Sequence, residues 1–139
     1  MMEATKITVE ALVGADTKKV WDAWTQPAHI TKWNFASDDW QCPKAENDLR
    51  VGGRYAARME AKDGSFGFDF EAIYDEVEEQ KRSAYTMADG RKAVTDFADL
   101  GGSTKVTTTF DAEDTNPVDM QRAGWQAILD NFKKYVESR

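Results

Sequence analysis

The stretch NPVDMQRAGWQAILDNFKKYVESR, residues 116–139, decides the fold, because here the hydrophobic period changes from two to about 3.6. Trp125, Ile128, Leu129, Phe132 and Val136 recur three and four residues apart, the stripe of a helix with one buried face. Its start is marked by Asn116 as cap, Pro117 at the first helical position and Asp119 beside the positive end of the helix dipole. About 20 residues at about 1.5 Å rise make a helix about 30 Å long, enough to cross a small domain. What precedes it must supply a surface for that stripe.

Upstream, the period is two. Thr104, Val106, Thr108 and Phe110 share one side of a predicted strand, Gly101–Gly102 makes a turn, and Ala93, Thr95 and Phe97 share one side of the strand before it. Asp89–Gly90 is the next turn, then Ser83, Tyr85 and Met87 alternate. The clearest amphipathic strand sets Phe66, Phe68, Phe70, Ala72 and Tyr74 against Asp69, Glu71 and Asp75. Asp63–Gly64 joins it to Tyr55, Ala57, Met59 and Ala61, and Gly52–Gly53 marks a turn or bulge. Successive strands with short turns give an antiparallel meander, apolar on one face. Residues 35–47 show no clear period and read as an irregular connection.

The beginning of the chain holds one more strand, residues 5–13, with Ile7, Val9, Ala11 and Val13 on one side and Leu12 breaking the alternation. Gly14 ends it. Asp16 caps a short helix carrying Val20, Trp21 and Trp24, and Pro27 opens a second with Ile30 and Trp33. No repeat or linker divides the 139 residues, so one α+β domain over 1–139 is expected.

Composition narrows the function classes. With 41% hydrophobic and 12% aromatic residues the chain can fill a core and still line a pocket. A formal charge of -7 repels phosphate backbones and anionic headgroups, which argues against nucleic acid and membrane surfaces. Cys42 is the only cysteine, so no internal disulfide can form. No leader-like or membrane-spanning stretch is found, and a cytoplasmic location is expected.

The order strand, two short helices, meander, long helix is that of the START-like helix-grip fold of the SRPBCC superfamily. Three residue groups sharpen the likeness. Ala15–Asp16 with Val20–Trp21, then Thr25–Gln26–Pro27 and Trp33, resembles the opening of the heat-shock protein 90 ATPase activator family. Asp48–Leu49–Arg50–Val51–Gly52–Gly53–Arg54–Tyr55 is similar to its internal motif, and Gly124–Trp125 with Leu129 and Phe132 to its terminal helix. The resemblance covers nearly the whole chain. It implies a curved sheet of about six or seven antiparallel strands around the terminal helix, often with a cavity between them. The same fold hosts ligand carriers, cyclases, hydrolases and co-chaperones, so it does not choose among them.

Individual reactive residues offer little. His29 is the only histidine and, with one cysteine, cannot complete the usual zinc ligand sets, so neither a metal nor another cofactor is expected. On the second short helix it reads as a surface residue, with catalysis the lesser alternative. Cys42 would be reactive only if a cation such as Lys44 lowered its pKa; otherwise it is a small, partly buried side chain. Asp69 and Glu71 alternate onto the wet face, while the surroundings of Asp38 and Asp39 stay open.

Aromatic residues carry the stronger expectation. Phe35 and Trp40 are placed near a cavity mouth, and Tyr55, Met59, Phe70, Tyr85, Trp125, Leu129 and Phe132 face the space under the long helix, with Tyr85 and Thr108 as orienting polar groups. The alternative is that these side chains fill the core and leave no space. The leading reading is a monomeric or weakly dimeric, non-enzymatic protein that binds a small hydrophobic or aromatic molecule. A co-chaperone module acting on a heat-shock protein 90-type ATPase is the second. An enzyme, hydrolase or cyclase, using the same cavity is the third, though no nucleophile and base are assembled in the sequence.

Overall fold

The strand-forming residues pair into one seven-stranded sheet in the order β1-β7-β6-β5-β4-β3-β2 in a computed structural model that describes residues 5–139. The strands are β1 (Lys6–Val13), β2 (Trp40–Asn47), β3 (Arg54–Ala61), β4 (Gly67–Glu78), β5 (Arg82–Met87), β6 (Lys92–Asp99) and β7 (Thr104–Asp111). Every neighbouring pair is antiparallel. Between β1 and β2 lie helices α1 (Thr17–Thr25) and α2 (Pro27–Trp33), and the chain ends in α3 (Val118–Glu137), whose buried face packs on the curled sheet. This is the helix-grip architecture.

Alternation sorts the core as expected on most strands. Ile7, Val9 and Val13 of β1 and Val106 and Phe110 of β7 are buried, joined by Leu129, Phe132 and Val136 of α3. Asp16 caps α1 by accepting from the Lys19 amide at 2.8 Å. Beneath α1 and α2 the rings of Trp24 and Trp33 stack at 5.0 Å, and Phe132 meets both edge-on at 5.0 and 4.9 Å. Trp33 donates its ring N–H to the Ala23 carbonyl at 2.8 Å, and Asn131 of α3 donates to the Trp33 carbonyl at 2.8 Å. The two short helices and the long one are thus locked around one aromatic cluster.

The Gly52–Gly53 pair has a specific reason. A Cβ on Gly53 would lie 2.0 Å from the Asp48 carbonyl oxygen, and Gly52 has φ 83°. That close turn lets Gly52 donate to Tyr74 O at 2.9 Å and Gly53 accept from Tyr74 N at 3.0 Å, beside the register shift of β4 between Tyr74 and Glu76.

Three expectations need correction. The segment read as an irregular connection contains strand β2, at the sheet edge, with a register shift between Gln41 and Lys44. Pro43 lies in that shift, where its missing N–H breaks no ladder, and of its eight side chains only Cys42 is buried, so no period of two shows. At α3, Pro117 takes the cap position rather than Asn116, whose side chain instead bonds Glu113. The entry to the helix is held from within by Gln121, which donates to the carbonyls of Asn116 (2.8 Å) and Glu113 (3.1 Å) and accepts from the Glu113 amide (2.8 Å). Finally, the apolar row expected over 66–74 is only partly covered: Ala72 and Tyr74 of β4 are buried, but Phe68 at its start and Phe66, just before it, are 42% and 63% exposed and lean on Trp40.

Candidate functional site

Between the concave face of the sheet and α3 lies a cavity of about 490 Å³. The register explains why space remains there. Tyr55 of β3 sits opposite Ala72 of β4, and Phe70 of β4 opposite Ala57 of β3, so each large ring has a small neighbour. The rings gather instead across the floor: Tyr55 stacks on Tyr85 at 5.8 Å, Phe70 meets both edge-on at 5.9 and 5.8 Å, and Tyr74 stands directly across from Tyr85.

On the opposite side, Trp125 is stacked flat on Phe110 with centroids 3.9 Å apart, and Ile128 and Leu129 continue the roof. One turn earlier in that wall is Gly124, and a Cβ built there meets no atom within 4 Å. Exposed residues also border the space, among them Ser37, Phe68 and Met120, which is 61% exposed. Polar groups are few. Asn34 approaches the Tyr55 hydroxyl at 3.4 Å, Thr108 is bonded to Thr95 at 2.8 Å, and Arg91 and Glu113 lie at one end.

The structure therefore brings Phe35, Trp40, Tyr55, Met59, Phe70, Tyr85, Thr108, Trp125 and Leu129 around one space. Phe132 is not among them. One turn along the helix from Leu129, it points into the Trp24–Trp33 cluster and is fully buried. Sequence reasoning missed Tyr74, although its alternation with Phe70 and Ala72 carried that signal; Arg91, next to a turn glycine, carried none.

The other candidates lie elsewhere. Cys42 is buried and off the cavity; burial pushes its thiol up, and Lys44 offers only its carbonyl, 3.6 Å from Sγ. His29 is half-buried rather than a plain surface residue, its Nδ1 2.6 Å from the Tyr135 hydroxyl, with burial and the nearby Arg139 charge holding its pKa below the usual 6.5. Asp38 and Asp39 are exposed, Asp39 accepting from the Ser37 hydroxyl at 2.5 Å. Among the described residues no group of three or more His, Cys, Asp or Glu is placed to hold a metal ion.

Burial of the floor has a measurable consequence. It pushes the Tyr74 phenol from its ordinary 10.0 up to about 12, and raises Tyr55 and Tyr85 as well. A raised folded-state pKa means that the unfolded chain loses the proton first, so this contribution to stability is intact below pH 10 and is lost as pH rises towards 12. For Tyr74 alone the slope approaches about 1.4 kcal/mol per pH unit in that window. Urea melts at several alkaline pH values should show Tyr74→Phe losing less stability with rising pH than the wild type.

A curled seven-stranded antiparallel sheet gripping a long terminal helix, with an apolar cavity between them, defines a START-like helix-grip protein. The family model described as "Activator of Hsp90 ATPase homolog 1-like protein" matches residues 15–137, and the chain belongs to that family. Among solved structures it is similar to the AHSA1-like protein from Aeromonas hydrophila, at 47% identity and TM-score 0.91, over 96% of this chain and 93% of that one. It is also similar to Chr148 from Cytophaga hutchinsonii, at 49% identity and TM-score 0.82, over 96% and 92%. CV1439 from Chromobacterium violaceum, at 24% identity, shares the fold with TM-score 0.85 over 96% and 98%. Comparison with curated proteins finds no match. No described helix is long and apolar enough to cross a membrane.

Proposed function

We propose that this chain binds a small, predominantly apolar or aromatic molecule between the sheet and α3. The observation that carries the reading is the cavity itself: about 490 Å³, walled by Tyr55, Phe70, Tyr85, Trp125 and Leu129, and within the range of about 300–1,000 Å³ usual for ligand pockets. Those aromatic walls favour a flat or ring-bearing body, since stacked and edge-on ring contacts add to simple burial. Neither Cys42 nor His29 lines the space, so the side chains best suited to nucleophile and base stand apart from it. The cavity, rather than the family's description as an ATPase activator, supports this assignment.

Thermal melts of the purified protein against lipids, flavonoids and aromatic metabolites test it. A ligand present at about 100 times its Kd stabilises by about 2.7 kcal/mol. That corresponds to a rise in Tm of several degrees for a domain of this size. Failure of every saturating compound to move Tm would count against a binding role.

A further inference from the structure

The occupant's chemistry is constrained further at one end of the cavity, an argument that rests on the binding role just proposed. Two lining residues carry charge, Arg91 and Glu113. The Glu113 carboxylate, in the loop before α3, is engaged by the Asn116 side-chain amide. Arg91 is differently placed. The Met87 amide donates to its carbonyl at 2.7 Å, setting it across the hairpin from Met87, and it precedes by two residues Ala93, which faces Tyr85. Side chains two apart on a strand share a face, so Arg91 and Tyr85 are diagonal neighbours on the concave side.

Their hydrogen-bonding capacity is not used up. Arg91 donates from Nε to Asp89 at 2.7 Å, and Nη1 reaches the Asp111 carbonyl only at 3.4 Å. Its Nη2 has no partner among the described residues. Asp89 is more than half exposed, so this ion pair faces water and is weak. The Tyr85 hydroxyl likewise has no hydrogen-bond partner among the described residues, and burial together with nearby Tyr74 keeps its phenol protonated, so it can donate.

We propose that the free guanidinium edge of Arg91 and the Tyr85 hydroxyl bind the carboxylate of an amphipathic acid, whose apolar body lies along Phe70, Trp125 and Leu129. Guanidinium matches carboxylate in geometry as well as charge, and charge-assisted hydrogen bonds are stronger than neutral ones. Glu113 at the same end is a like charge to any acid, partly engaged by Asn116, and opposes a doubly charged head more than a single carboxylate.

Isothermal titration calorimetry with two matched pairs tests this: naphthaleneacetate against naphthaleneacetamide, and decanoate against decanamide. In wild-type protein the acid of at least one pair should bind about tenfold tighter than its amide, the size expected for one hydrogen bond to a charged group. Arg91→Gln should abolish that preference by weakening the acid about tenfold and its amide far less, and Tyr85→Phe should weaken acid binding a few-fold. Equal affinity of acid and amide in the wild type overturns the carboxylate assignment and leaves the cavity role standing. Binding of none of the four compounds overturns the amphipathic-acid assignment as well, and the binding role is then decided by the thermal melts alone.

Discussion

Phe132→Ala should destabilise the protein by about 3–5 kcal/mol, the usual cost of truncating a buried Phe. For a domain between the small and medium size classes this lowers Tm by about 10–15 °C. The ring is fully buried and lies edge-on to Trp24 and Trp33 at 5.0 and 4.9 Å, so its removal takes away apolar burial and two aromatic contacts at once. The surroundings are poorly able to collapse, because Trp33 is fixed by its bond to Ala23 and by the Asn131 bond to its own carbonyl. A large cavity term therefore persists. The matching Phe66→Ala change, at a ring 63% exposed, should stay within about 0.5 kcal/mol. Urea denaturation of both variants checks the contrast, and a cost below about 1 kcal/mol for Phe132→Ala would mean that the cluster does not hold the helices together.

That pair of phenylalanines also shows what was legible in the sequence. Both fall on an apolar stripe of correct period, and periodicity placed each on its proper face. It did not say how far along the element the cover extends. Phe132 goes to the helix-facing cluster rather than the cavity because α1 and α2 fill the space over that turn of α3. Phe66 and Phe68 stay exposed, their rings meeting that of Trp40. Strand β2 was hidden for a related reason: an edge strand with one buried side chain and a proline in a register shift has no alternation to detect. By contrast the Asp16 cap, the turn glycines and the terminal helix are local decisions, made by residues within a few positions of one another, and these were readable. The cavity lay between the two cases. Its lining could be named from strand faces, but its volume depends on Ala57 and Ala72 standing opposite Phe70 and Tyr55, a matter of register between strands.

Gly124→Leu should eliminate ligand binding while leaving the fold at least as stable as before. Gly124 lies in the cavity wall on α3, and a Cβ added there meets no atom within 4 Å, so a longer side chain has open space to extend along that wall. Replacing a helical glycine removes a backbone-entropy cost of about 0.8–1 kcal/mol, and apolar contacts made inside the cavity add to that gain. Affinity for any compound that raises the wild-type Tm should fall more than tenfold, since the added side chain and the ligand body would occupy the same space. Gly124→Ala is the control: it gains the helix-propensity term, leaves most of the volume open, and should keep affinity within a few-fold. This pair separates two effects that substitutions at Trp125 or Phe70 would confuse, because those rings also support the core. Titration calorimetry and urea melts on both variants give the answer directly. If Gly124→Leu is stable and still binds like the wild type, the ligand does not lie under α3, and the exposed Trp40–Phe66–Phe68 surface becomes the place to look.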